Sequence, residues 1–319
     1  AGNIFLPHVA TDFSGAGLLK PVGRQNRITC FDAPHRIFDA ILRDSMLEDK
    51  HFPLSSVGRA ILQASAQNAT PLFGVSPASL LFGSWDSTGV SGGLGEKYGR
   101  CVVSELVGIN AVKGIRAGTR IDPLNAEKNQ SPDKILTETK DDLWKDLKKS
   151  RKKFDKPSEI NHSSVPWGGE HKVHGGVTLD YVQQTTTISF AALRQLRFPV
   201  EGKSTIETSI AAQAVLAAIA LHAAALSTAR GWHLRSRCDL ILAENETLAW
   251  EVLTSTAATT AALNAEASRN LLKEAISSAR SAGLPWRESA IELNPSPALQ
   301  KLVVASQKAH RESSGESND

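Results

Sequence analysis

Apolar and polar positions change period several times along the chain, and the changes predict a mixture of strands and helices. Residues 1–26 show no sustained period and read as an extended segment or loop. Residues 27–31 (RITCF) read as a short strand. Asp32 then offers an N-cap for a helix over 34–46, with Pro34 in the first turn, where proline is tolerated. Helical spacing returns over 54–66, and 68–77, with two prolines and a glycine, reads as a loop. Residues 80–109 begin apolar, cross five glycines between Gly89 and Gly99, and leave through 101–109, whose two faces are both largely apolar. Such a run predicts a strand central in a sheet. A β-rich stretch over 177–190 precedes a helical turn at 192–198, closed by Pro199. An alanine-rich helix is predicted over 204–230, with Glu207 at its positive end and Gly231 as terminator. Residues 235–243 predict another strand, 258–282 a second helix and 297–309 a short one. The last residues, 311–319, are too polar to fold and read as a disordered tail.

The sum is an α+β chain in which strands near 27–31, 101–109, 177–190 and 235–243 interleave with two main helices. That pattern fits a ferredoxin-like, RRM-type core with large insertions, a single domain over 1–319.

Composition alters this picture in one region. The whole chain is 41% hydrophobic and 22% charged, with a net charge of +3. Residues 113–156 hold thirteen Lys or Arg against eight Asp or Glu, a net of +5. The densest part is KKSRKKFDK, with Lys148, Lys149, Arg151, Lys152 and Lys153. Trp144, Phe154 and Trp167 are interleaved with these cations, a combination that tracks phosphates and stacks on bases. We read 112–176 as a basic insertion projecting from the sheet. Cys30, Cys101 and Cys238 are too dispersed for a disulfide framework, and a reducing cytoplasm is the expected setting. The first residues lack the layout of a signal peptide. The apolar run 206–226 is mostly alanine, with Gln213 and His222 inside it, and is expected to be a core helix rather than a membrane span.

Candidate chemistry narrows further. GGLGEKYG is not a P-loop, because Glu96 separates Gly95 from Lys97. Nor is it a dinucleotide fingerprint, since Gly93, Gly95 and Gly99 give one spacer residue too many. Glycine lets another backbone approach closely, so the stretch offers backbone contact to a polyanion, with a purely structural turn as the plain alternative. His162, His171 and His174, with Glu159 and Asp180, have weak metal-ligand spacing, and no metal or other cofactor is expected. No nucleophile elbow or H-E-x-x-H pattern occurs.

The segments LLFGSWDSTGVSGGLGEKYGRCVVSELVGI (80–109), RIDP (120–123), PSEINH (157–162), GGVTLDYVQQTTTISFAALRQLRF (175–198) and LRSRCDL (234–240) resemble one family. It is the RAMP-type backbone subunit of type I-G CRISPR Cascade, formerly type I-U. The resemblance implies an RRM-type palm with finger and thumb insertions, copies of which polymerise along one CRISPR guide RNA. Guide pairing, rather than the protein, would read the target DNA. Partners would be the subunit holding the 5′ handle, a large PAM-reading subunit and a helicase-nuclease. Type I relatives are not nucleases, so a non-enzymatic role is implied. From the matched boxes and their side-chain chemistry, Trp85, Ser87, Thr88, Lys97, Tyr98 and Arg100 are expected to line the RNA path. Arg36, Arg235 and Arg237 would add phosphate contacts, and Lys148 to Lys153, Asn161 and His162 would belong to the thumb or finger. Type III backbone subunits are similar in fold and cut target RNA with an aspartate; Asp86, Asp122, Asp155 and Asp180 are the residues such a metal-dependent ribonuclease would need here. A small-molecule enzyme with the glycine stretch as its nucleotide loop is a third reading.

Overall fold

The computed structural model describes residues 4–86, 95–116, 118–120, 165–167, 174–234, 238–244, 246–254 and 256–314. In chain order its strands are β1 (Val9–Asp12), β2 (Arg27–Thr29), β3 (Ser45–Leu47), β4 (Lys50–His51), β5 (Ser84–Trp85), β6 (Lys97–Tyr98), β7 (Val102–Ile109), β8 (Val112–Arg116) and β9 (Gly118–Arg120). They continue with β10 (Val165–Trp167), β11 (His174–Thr178), β12 (Tyr181–Ile188), β13 (Trp232–Leu234), β14 (Cys238–Leu240), β15 (Ala249–Leu253), β16 (Ala258–Ala262) and β17 (Ile291–Pro295). The α-helices are α1 (Ala40–Arg43), α2 (Ser56–Leu62), α3 (Thr70–Val75), α4 (Pro77–Leu81), α5 (Phe190–Leu193), α6 (Ile206–Arg230), α7 (Ala265–Ser281) and α8 (Pro297–Ser314). The chain divides into two compact units, Ala1–Glu105 with Gln184–Gln307, and Leu106–Gln183 with Lys308–Asp319.

The first unit is built on a sheet of order β2-β1-β17-β3-β4. Its centre joins the two ends of the chain: β1 runs parallel to β17, with Val9 opposite Ile291 and Thr11 opposite Leu293. Strand β17 has the period of two that one buried face demands, with Ile291, Leu293 and Pro295 inward and Glu292 and Asn294 outward. On β1 and β3 the buried hydroxyls of Thr11 and Ser45 meet at 2.9 Å, and Ser45 donates to the Ile41 carbonyl, so neither is left unpaired.

Helices α3 and α4 are almost wholly buried beside the long α6. Phe73 stands edge-on to Phe198 and tilted on Trp286, both with ring centres 5.6 Å apart. Gly74 is where the chain cannot carry a side chain: a Cβ there would lie 2.9 Å from Pro285 Cγ. Helix α6 opens with a capping box, Thr205 Oγ1 accepting from the Thr208 amide and Thr208 Oγ1 from the Thr205 amide. Its buried alanines 212, 218, 220 and 225 let it lie closely along α7. By length and composition α6 could cross a membrane, yet half of its most apolar stretch is buried within the protein.

Several expectations need correction. The predicted loop at 1–26 contains β1, next to the middle of the sheet. The helix expected over 34–46 breaks into a 3-10 turn, Arg36–Phe38, the short α1 and β3. Asp32 does not cap it; its carboxylate accepts from the Thr29 amide and hydroxyl, and Asp39 caps α1 through the Ile41 amide. The loop expected over 68–77 contains α3, with Pro71 in the first turn. Residues 258–262 form β16 rather than the start of a helix, because Asn264 accepts from the Glu266 and Ala267 amides and fixes the start of α7. Strand β17 was not foreseen. The four expected strands do not share one sheet: β2 is an edge of the main sheet, β7 pairs with β12, and β14 pairs with β13. Strand β7 is therefore not central. Most of its side chains are exposed, since alternation in sequence does not say which face is covered. The helix α8 runs on to Ser314, past the expected beginning of the tail.

In the second unit, β8 pairs antiparallel with β11 and β9 with β10. Most of the basic stretch 112–176 lies outside the described residues.

Candidate nucleic-acid interface

Two paired strands flank the glycine stretch. Strands β5 and β6 pair antiparallel, with Ser84 opposite Tyr98 and Trp85 opposite Lys97. The Gly95 amide donates to the Asp86 carbonyl at 3.0 Å. Period-two alternation divides the predicted residues here. Lys97 points outward, and its Nζ lies 5.7 Å from the centre of the Trp85 ring, which is 38% exposed.

Tyr98 points inward. It is 5% exposed and belongs to the hydrophobic core, so its ring does not line a surface path. Its hydroxyl is buried without a hydrogen-bond partner among the described residues, and burial, with Glu96 adding to it, raises the phenol well above its ordinary range. Cys101 is likewise a core residue, its thiol raised by burial and unreactive for that reason.

Gly83 precedes β5 with φ +77°, and any Cβ there would meet Arg100 Cγ and the Tyr98 carbonyl at 3.0 Å. The Gly83 carbonyl accepts from the Arg36 guanidinium at 2.7 Å. The Arg36 guanidinium also lies 6.0 Å from the Phe82 ring centre. Burial lowers its pKa, and the nearby positive charge of Arg100 lowers it further. No ion pair to Arg36, Lys97 or Arg100 occurs among the described residues. Arg36 moreover holds a left-handed backbone, φ +53°, which disfavours any residue other than glycine. Two guanidiniums close enough to influence each other, with no carboxylate partner among the described residues, can take an anion between them.

Sequence reasoning singled out Arg36, Trp85, Lys97 and Arg100 but missed the part Gly83 and Phe82 play. A glycine directly after an apolar helix was the available signal. The other expected site residues, Ser87, Thr88, Lys148, Lys149, Arg151, Lys152, Lys153, Asn161, His162, Arg235 and Arg237, lie outside the described residues. Of the aspartates a ribonuclease would use, Asp122 and Asp155 also lie outside them. Asp180 accepts from Asn110 Nδ2 at 2.7 Å. Among the described residues no three His, Cys, Asp or Glu side chains are grouped as metal ligands.

The family described as CRISPR-associated protein GSU0053 matches residues 1–113, which marks the chain as CRISPR-associated. The matched segment contains Arg36, Gly83, Trp85, Lys97 and Arg100. No curated protein matches the chain.

Proposed function

We propose that this CRISPR-associated chain is a non-catalytic guide-RNA backbone subunit of a type I-G Cascade complex. In this reading several copies line one CRISPR RNA in the cytoplasm and present it for pairing with target DNA. They work beside a 5′-handle subunit, a large PAM-reading subunit and a helicase-nuclease. The observation that carries the reading is the pair of guanidiniums, Arg36 and Arg100, unpaired by any carboxylate among the described residues and joined by the Lys97–Trp85 pair. Cations of that kind hold phosphates, and an exposed indole beside them stacks on a base without reading sequence. The Arg36 guanidinium is already aimed by the Gly83 carbonyl, so little side-chain order is lost on binding.

The test is binding of a labelled single-stranded RNA over a range of salt. Wild-type affinity should fall steeply with salt. Arg36→Gln with Arg100→Gln should weaken binding and reduce the slope of log affinity against log salt by about 1.4, or about 0.7 per phosphate contact. Trp85→Ala should weaken binding with the slope unchanged. No binding at low salt, or variants that bind like wild type, would overturn the reading. Incubation with complementary RNA and Mg²⁺ should leave that RNA intact; cleavage at regular intervals, lost in an aspartate variant, would favour the ribonuclease reading instead.

A further inference from the structure

Helix α6 has a different surface at each of its ends. At its start, Ile206 and Ile210 are 75% and 59% exposed. Four residues apart, they share one face and form an apolar knob, with the exposed Glu207 beside them. At its end lies a groove of about 600 Å³, lined by Ala225 and Arg230 of α6, by Ile241 and Leu242 after β14, and by Leu248 and Leu263 beside the β15–β16 hairpin. Ile241 is 85% exposed. Among the described residues, Arg230 is the one charged side chain that lines the groove. The hairpin beside it, residues 249–262, carries a single charge, Glu251. A polyanion finds almost nothing to bind on such a surface, whereas an apolar protein knob does.

We propose that the groove at the end of α6 receives the Ile206–Ile210 knob of a second copy of this chain, with Glu207 of one copy paired to Arg230 of the next. The charges are complementary, and neither has an ion-pair partner of its own among the described residues. The groove has room for two isoleucine side chains. Knob and groove are different patches, so the contact is heterologous and each copy offers a free end to another. They sit towards opposite ends of a 25-residue helix, about 37 Å long at 1.5 Å per residue, so one chain cannot fill its own groove. The inference deepens the backbone reading by assigning the surfaces through which copies would meet, and it draws on none of the residues of the RNA site.

Sedimentation velocity of the full chain, alone and with a single-stranded oligouridylate, tests it. Wild type should associate increasingly with concentration. A knob variant, Ile206→Asp with Ile210→Asp, and a groove variant, Ile241→Asp with Leu242→Asp, should each associate about 100-fold more weakly. All four positions are exposed, and circular dichroism verifies that both variants fold. Mixed in equal amounts, the two should form a dimer and nothing larger, because only one knob and one groove remain. Glu207→Arg should weaken association, and adding Arg230→Glu in the same chain should restore it, a readout that does not depend on the apolar variants. A wild type that stays monomeric under both conditions, variants that associate like wild type, or a mixture that stays monomeric would each overturn the proposal. RNA affinity on an oligonucleotide too short for two copies should be unchanged in the knob variant. Its loss there would place the knob against RNA and overturn the proposal, whereas a wild type that associates but binds no RNA would overturn the RNA reading alone.

Discussion

Tyr98 and Lys97 are neighbours in sequence with opposite fates. The strand's period of two sends the lysine to the Trp85 face and the tyrosine into the core, where its hydroxyl finds no partner among the described residues. A buried, unpaired hydroxyl costs about 1–3 kcal/mol. Tyr98→Phe should therefore leave stability unchanged or raise it by about 1 kcal/mol, read from the urea midpoint. It should leave RNA affinity at the wild-type value; a fall in affinity would return the phenol to the site. Arg36 permits a second comparison. Its left-handed backbone costs a residue with a Cβ about 1–2 kcal/mol relative to glycine. Arg36→Gly and Arg36→Ala remove the same guanidinium, so the two should lose RNA affinity alike. The glycine variant should be the more stable by about 1 kcal/mol in chemical denaturation. Equal stabilities would mean that the strained backbone is not retained in solution.

At the scale of elements, a polar contact joins α6 to α7. His222 Nδ1 lies 3.0 Å from the hydroxyl of the fully buried Ser268. Burial first, and then the Arg269 guanidinium, hold the imidazole below its ordinary pKa. The folded protein therefore takes up this proton less readily than the unfolded chain does. Its contribution to stability is complete above the unfolded value of about 6.5 and is lost as pH falls from there towards the lower folded value. Urea midpoints measured from about pH 8 down to about pH 5 should decline across that window, and His222→Gln should flatten this part of the decline. A profile identical in the variant would remove His222 as the cause. The element boundaries show the same dependence on local chemistry. Thr205, Asp39 and Asn264 each end an extended segment by accepting a backbone amide, and each fixes where a helix begins. Two of those starts, in α1 and α7, lay inside segments whose apolar spacing alone reads as longer helices.

For the whole molecule, the decisive contact is between strands more than 270 residues apart. Strand β17 lies between β1 and β3, and its removal would leave an open edge on each of them and take the buried Ile291 and Leu293 out of the core. A chain truncated after Ala290 should fail to show a cooperative unfolding transition, whereas truncation after Gln307 should keep one, monitored by near-ultraviolet circular dichroism. A cooperative transition in the shorter chain would mean that β1 and β3 close the sheet without it. The mixed α+β class and the long alanine-rich helix with its Gly231 stop are legible in the sequence. These follow from local chemistry: periodicity, caps, glycine and the kinds of side chain present. Tertiary structure alone decided that β1 and β17 meet, that β7 joins a two-stranded ribbon rather than a sheet centre, and that Tyr98 is withdrawn from the surface. It also decided that the Arg36 guanidinium reaches the Gly83 carbonyl, 47 residues along the chain, with the charge of Arg100 nearby. Those outcomes depend on which distant strand satisfies a backbone edge and which face another element covers, and a one-dimensional pattern of apolar positions contains neither.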